Sequence, residues 1–383
     1  MKLFSTALAA LSLLVATTNG TLMLRLEAMG KSNLEKQHPQ QSYQTNNIGC
    51  NLTGTYKKGT DISSCAAITV DSLRVPAGVT LDLSKAKKGA IIQFKGTTIF
   101  GAQKWAGPLV LLGGTDLIVK GNGVLEGQGS WYWKQGQSII RPVFFRLQNV
   151  MNSTVSEITI KNMPFHTFSI VTCKDTTLTG LTIDARAGNG IAKNTDGFGL
   201  TMNDHVTITK NTIYNQDDCL AIQSSTNTVF RDNYCCGGYG ISIGSIGGNS
   251  VNQSTTVQGL LARGNTIVDS VNGLRIKTII ELKGLVSDVK YVDNELMNVK
   301  NAIVIRSDYS MSKDAYTNTA TSQVQITGVT VSGLTGSATN LYDINTNPNV
   351  VSDWTLSGIH VTTSAMGMLA GLPKSLFSSL FSS

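Results

Sequence analysis

Asn211-Thr212-Ile213-Tyr214-Asn215-Gln216-Asp217-Asp218-Cys219-Leu220-Ala221-Ile222 opens a frame that the chain then repeats. Asn233 leads to Gly240-Ile241-Ser242-Ile243, Asn265 to Gly273-Leu274-Arg275-Ile276, and Asn294 to Ala302-Ile303-Val304-Ile305. Each unit is an Asn, a gap of about eight residues, a Gly or Ala, and an apolar-x-apolar burst. Alternation of that kind has period two, the mark of a strand with one buried side. Further bursts stand earlier, at 155–160, 178–183 and 206–208. Short strands recur every 21 to 32 residues, and no helical pattern separates them. Self-similarity at that period predicts a β-solenoid, with each coil laying its strands parallel to the previous coil, about 4.8 Å away. A β-sandwich would turn over every ~8–12 residues through antiparallel hairpins, and Asn-Gly hairpin turns are scarce here. The recurring Asn residues are expected to stack, to hydrogen-bond along their column and to take left-handed turn conformations.

Composition agrees. The chain has 383 residues, 38 of them Gly, with 41% hydrophobic and 14% charged. That is enough to bury a large core without metal or disulfide, and it excludes a disordered chain. Abundant Thr, Asn, Ser and Gly disfavour helices and suit strands joined by tight turns. We expect one all-β domain over residues 46–365. Met1-Lys2-Leu3 and the apolar run up to Ala16 form a secretory signal peptide over 1–20, shorter than the ~20 apolar residues of a membrane span. Residues 21–45 read as a linker or pro-segment, and 366–383 receive no assignment. An extracellular protein follows, and three sequons beyond the signal peptide fit it: Asn51-Leu52-Thr53, Asn152-Ser153-Thr154 and Asn252-Gln253-Ser254. The six cysteines are Cys50, Cys65, Cys173, Cys219, Cys235 and Cys236. Disulfides are the default in an oxidising compartment, but six cysteines allow about 15 pairings. Without a CxxC motif, zinc is not expected.

The acids follow the repeat. Asp196 stands 22 residues before Asp218, and Asp217 stands 22 before Tyr239. One coil separates the members of each pair, so Asp196, Asp217/Asp218 and Tyr239 should line one column. Arg275 and Lys277 flank Ile276 one or two coils on. With Ile276 inward, both should point to solvent on the same side. Three crowded carboxylates repel, so at least one should hold its proton near neutral pH. A metal site, a general acid and base on a glycosidic bond, or a solvated turn could each use acids. The basic pair disfavours calcium and favours a carbohydrate that itself carries carboxylates. The net charge of +7 points the same way. Nucleic acid is disfavoured because the basic residues are dispersed.

Asn194-Thr195-Asp196, Gln216-Asp217-Asp218-Cys219, Gly238-Tyr239-Gly240-Ile241-Ser242-Ile243-Gly244-Ser245 and Arg275-Ile276-Lys277 resemble, in order and spacing, the four signatures of the polygalacturonases, glycoside hydrolase family 28. The resemblance covers roughly residues 50 to 360. It implies a right-handed parallel β-helix and inverting hydrolysis of α-1,4-linked galacturonate in demethylated pectin, most simply by internal cleavage, without metal or cofactor. It implies Asp217 as general acid, Asp196 and Asp218 on the attacking water, and Arg275, Lys277, Tyr309 and Tyr239 on the substrate. It also implies bridges Cys50–Cys65 and Cys219–Cys235, and leaves Cys173 and Cys236 open. Polygalacturonate is the implied partner, with a plant polygalacturonase-inhibiting protein as a candidate protein partner; a monomer is expected, with no membrane or nucleic acid. Three departures stand out. Tyr239 replaces the motif's His, Gly199 a frequent Asp, and Arg306 a frequent Gln. A tyrosine of pKa near 10 carries no positive charge. The rival expectations are therefore a non-catalytic pectin-binding or inhibitor-titrating relative and, more distantly, a calcium-dependent lyase on the same architecture.

Overall fold

The computed structural model describes residues 49–374 and Leu376. The expected signal peptide and the expected 21–45 linker or pro-segment lie outside the described residues. The described residues fall in one compact unit.

Almost every strand pairs in parallel with the strand one coil away. On one side, Phe168–Val171, Phe198–Thr201, Leu220–Ile222, Ile241–Ile246 and Asn272–Ile279 lie side by side. On the next, Lys174–Thr179, Asn203–Thr209, Ser225–Arg231, Thr256–Arg263 and Lys283–Val292 do the same. A third column of short strands runs through Thr182–Asp184, Thr212–Tyr214, Tyr234–Cys236 and Thr266–Val268. This is the predicted solenoid, a right-handed parallel β-helix; right-handed connection is the sense that twisted parallel strands impose. The last strand, His360–Ala370, carries the stack past residue 365. An antiparallel exception, Tyr309 with Tyr316, folds a hairpin beside the acids. No described helix is long and apolar enough to cross a membrane.

Period-two alternation explains the core. Phe168, Phe198, Leu220, Ile241 and Leu274 occupy equivalent inward positions and are essentially inaccessible. The rings of Phe145, Phe168 and Phe198 stack up the axis at 5.4 and 5.2 Å between centroids. Stacked rings at this spacing add to the burial of their apolar surface.

The Asn column forms as expected, with one correction. Asn211 Nδ2 donates to Asn233 Oδ1 (2.9 Å), Asn233 Nδ2 to Asn265 Oδ1 (3.1 Å), and Asn265 Nδ2 to Asn294 Oδ1 (2.9 Å). Each Oδ1 also accepts the backbone N–H of the preceding Asn, at 3.0 to 3.1 Å. The left-handed conformation, however, belongs to the residue before each Asn: Lys210 (φ 57°), Asp232 (φ 56°), Gly264 (φ 63°) and Asp293 (φ 52°). The Asn side chain must point inward to reach the next coil, so the preceding residue makes the turn. Asn233→Ala leaves the buried Asn211 backbone N–H without its acceptor and its side-chain amide with only the Leu178 carbonyl. We expect a loss of about 3 kcal/mol by urea unfolding; a change below about 1 kcal/mol would remove the ladder from the stability argument.

Two disulfides close, Cys50–Cys65 and Cys219–Cys235, in the pairing that the resemblance implied. Cys173 and Cys236 are free. Asn51, Asn152 and Asn252 are all exposed.

Candidate active site

The acids sit where the chain turns into the first strand column. Phe168, Phe198, Leu220 and Ile241 are in register. Two residues before them stand His166, Asp196, Asp218 and Tyr239, at one position on four successive coils. Asp217 precedes this column by one residue, so the interval from Asp217 to Tyr239 places the pair near one another without aligning them. Asn215 builds the turn: its Nδ2 donates to the carbonyls of Thr195 (3.0 Å), Asp217 (3.0 Å) and Asp218 (2.9 Å). Cys219, adjoining the acid pair, is bridged to Cys235 on the next coil. The glycines around Tyr239 are required by close approach. A Cβ at Gly238 would lie 2.1 Å from the Asp217 carbonyl oxygen, and one at Gly240 (φ +78°) 2.2 Å from that of Asn272.

One oxygen from each of Asp196, Asp217 and Asp218 lies within 4.8 Å of the others. Burial raises the Asp217 carboxyl well above the usual carboxylate range, and the charges of Asp196 and Asp218 push it further. Burial and the charge of Asp218 raise Asp196 likewise. Asp217 Oδ1 accepts the Asp218 N–H at 2.9 Å and Oδ2 accepts from Asn194 Nδ2 at 3.3 Å. Three carboxylates so spaced could hold a cation, but a buried guanidinium already takes one of them. Arg275 pairs with Asp218 through Nη2, and its Nε donates to Ser242 Oγ at 2.9 Å. Ser242 Oγ in turn donates to Asp218 at 2.8 Å.

Arg275 and Lys277 do share one side of their strand, with Ile276 on the other, but the expectation of solvent exposure fails for Arg275. It is 8% exposed, because its guanidinium turns back onto Asp218 and Ser242 and lies 5.8 Å from the Tyr239 ring centre. Lys277 is half-buried, makes no ion pair among the described residues, and lies 4.4 Å from the Tyr309 ring centre. Desolvation and the charge of Arg275 lower its pKa. Tyr309 donates to Asp314 Oδ1 at 2.6 Å. Tyr239 lines the groove half-buried; burial, then the charge of Asp217, raises its pKa, so it stays neutral.

All seven expected residues therefore border one groove of about 520 Å³. The sequence reading gave no part to His166, Lys193, Gln223, Asp314 or Tyr316, which line it too. His166 had a detectable signal, since it stands 30 residues before Asp196, one coil with a longer loop. Of the departures, Gly199 lies on the groove-facing side of its strand, where a Cβ would meet only the Phe168 carbonyl at 3.5 Å. Nothing there demands glycine. Arg306 is buried against Asp308 (2.7 Å) and Asp343 (2.6 Å), with its guanidinium 4.3 Å from the Tyr316 ring centre, so it anchors the hairpin that walls the groove.

The model of glycosyl hydrolases family 28 matches residues 65–373. The polygalacturonase of Saccharomyces cerevisiae is 38% identical over 334 residues, 85% of this chain and 91% of that protein. The probable endopolygalacturonase I of Aspergillus flavus is 42% identical over 325 residues, 82% of this chain and 86% of its own. Among solved structures, endopolygalacturonase I from Stereum purpureum, complexed with two galacturonates, superposes with a TM-score of 0.64 at 25% identity, covering 82% of this chain and all of that one. The fold, the acid column and these likenesses agree: the chain belongs to glycosyl hydrolases family 28, the polygalacturonase family.

Proposed function

We propose that this chain is a secreted polygalacturonase that hydrolyses α-1,4-galacturonosyl bonds within demethylated pectin. The observation that carries the reading is a cluster of three carboxylates, two of them raised by burial and mutual repulsion, beside a cation that makes no ion pair among the described residues. Asp217, protonated, gives its proton to the glycosidic oxygen as the C–O bond breaks. Asp196 and Asp218 hold the attacking water and take the proton it loses. Lys277 binds the galacturonate carboxylate. Arg275 holds Asp218 in place through their buried ion pair, and its side chain borders the same groove. Hollows lined by Gln137, Arg141 and Phe165, and by Arg186, Tyr214 and Val271, share residues with the groove and give room for further sugar units, which supports internal cleavage.

Inversion follows from the resemblance, and the spacing pulls the other way. Inverting pairs usually stand ~6.5–9.5 Å apart and retaining pairs ~5–5.5 Å, whereas the nearest oxygens here lie within 4.8 Å. A water held between Asp196 and Asp218 and opposite Asp217 permits inversion at this spacing. Proton NMR of the first products from polygalacturonic acid at about pH 4–6 decides the chemistry. We expect EDTA-resistant release of reducing ends, with the β-anomer appearing first. An α-anomer would make the reaction retaining. An unsaturated product that needs calcium would make the protein a lyase. A folded protein that binds oligogalacturonate and releases nothing would be the non-catalytic relative. Secretion and glycosylation at Asn51, Asn152 and Asn252 are read on the same preparation: export to the medium, and a mobility shift with endoglycosidase.

A further inference from the structure

The acid column does not end at Asp196. One coil toward the N-terminus, at the same register position, stands His166, so the column reads His166, Asp196, Asp218, Tyr239. We propose that His166 supplies the imidazole of this site and positions Asp196 and the attacking water; the proposal rests on the polygalacturonase reading above.

His166 Nε2 lies 3.5 Å from Asp196 Oδ1. That is just beyond a full hydrogen bond, a separation that catalytic contacts often show before substrate binds. The ring is held by its faces. It stacks on Phe165 at 3.8 Å between centroids with 16° between planes. Phe165 lies under the Arg141 guanidinium at 4.9 Å. Arg141 is fixed in turn by the carbonyls of Lys193 (2.7 Å) and Pro164 (3.3 Å) and by Asn194 Oδ1 (2.8 Å). Neither ring nitrogen makes a hydrogen bond among the described residues, although the ring borders the groove. A histidine kept only for packing would not need a polar edge aimed at a carboxylate. Locked orientation with unspent nitrogens is the preorganisation that a positioning group requires.

The charged groups facing His166 are Asp196, Asp217 and Asp218 from the following coils and Arg141 from the preceding segment. Burial, helped by Arg141, pushes its pKa down to about 4 against the pull of the acids. The ring is then neutral at pH 5 and above, able to donate one hydrogen bond to Asp196 and to accept another from water or a sugar hydroxyl. Tyr239, at the other end of the column, has no basic nitrogen to offer.

The test uses His166→Phe and His166→Gln in the full chain, assayed on polygalacturonic acid. Phe keeps the stack on Phe165 and removes both nitrogens; Gln restores a donor and an acceptor. We expect His166→Phe to lose about 10²-fold in kcat with KM changed less than ~3-fold, and His166→Gln to recover at least ~10-fold of that loss. A Phe variant within ~3-fold of wild-type kcat, or a Gln variant no better than Phe, overturns the proposal and leaves His166 a packing residue. Wild-type protein that releases no product overturns the polygalacturonase reading and this proposal with it. An active wild type indifferent to His166 overturns this proposal alone.

Discussion

Asp217→Asn lowers kcat by about 10²- to 10⁴-fold and, at neutral pH, makes the protein more stable. The first effect follows from removing the only carboxyl of the three that neither pairs with Arg275 nor stands in the His166–Tyr239 column. The second follows from linkage. Burial and two neighbouring carboxylates raise the Asp217 pKa in the folded state, so the native protein binds a proton that the unfolded chain, at ~3.9, releases. A group raised in this way contributes stability that is full below the unfolded value and is lost as pH rises through the folded value. Asn does not titrate and has no such loss. The melting temperature of the variant should therefore exceed that of the wild type near pH 7, and the difference should vanish toward pH ~3.5. A variant that turns over normally, or one that is less stable at pH 7, contradicts the acid role or the crowded-carboxylate account respectively. The same linkage gives the activity profile expected of the proposed mechanism: turnover falls as pH rises through the raised value, as Asp217 loses the proton that the acid role requires.

Arg275→Gln costs about 3–5 kcal/mol of stability, together with most of the activity. Arg275 and Asp218 have side chains only 9% and 6% exposed, so removing the guanidinium leaves a buried carboxylate with Ser242 as its remaining partner. The contrast is with Arg231 and Asp232, paired at 2.7 Å but about half exposed, where loss of the partner costs about 0–1 kcal/mol. Urea unfolding of the single variant and of Arg275→Gln/Asp218→Asn separates the terms. The double variant, with both charges of this pair removed, should recover most of the stability and none of the activity. A single variant within about 1 kcal/mol of wild type would remove the structural half of the role given to Arg275.

Much of this is legible in the sequence. Alternation such as Ile241-Ser242-Ile243 is a local property of a strand, and its recurrence after each Asn announces stacked coils. Acids one coil apart, with Arg275 and Lys277 further on, announce a site for an acidic carbohydrate. What the sequence alone determined is therefore the period, the inward residues and the seven groove residues that follow the repeat or the resemblance. Tertiary structure decided the neighbours. From Phe168 to Phe198 the coil takes 30 residues, from Phe198 to Leu220 22, and from Ile241 to Leu274 33, because loops of different length leave the same stack. Counting residues therefore aligns Asp196 with Asp218 and misses His166. Hydrogen bonds between coils set the register regardless of what each loop inserts. The same cause buries Arg275: alternation says which side of the strand it occupies, but only the coils packed beside it say whether water reaches it.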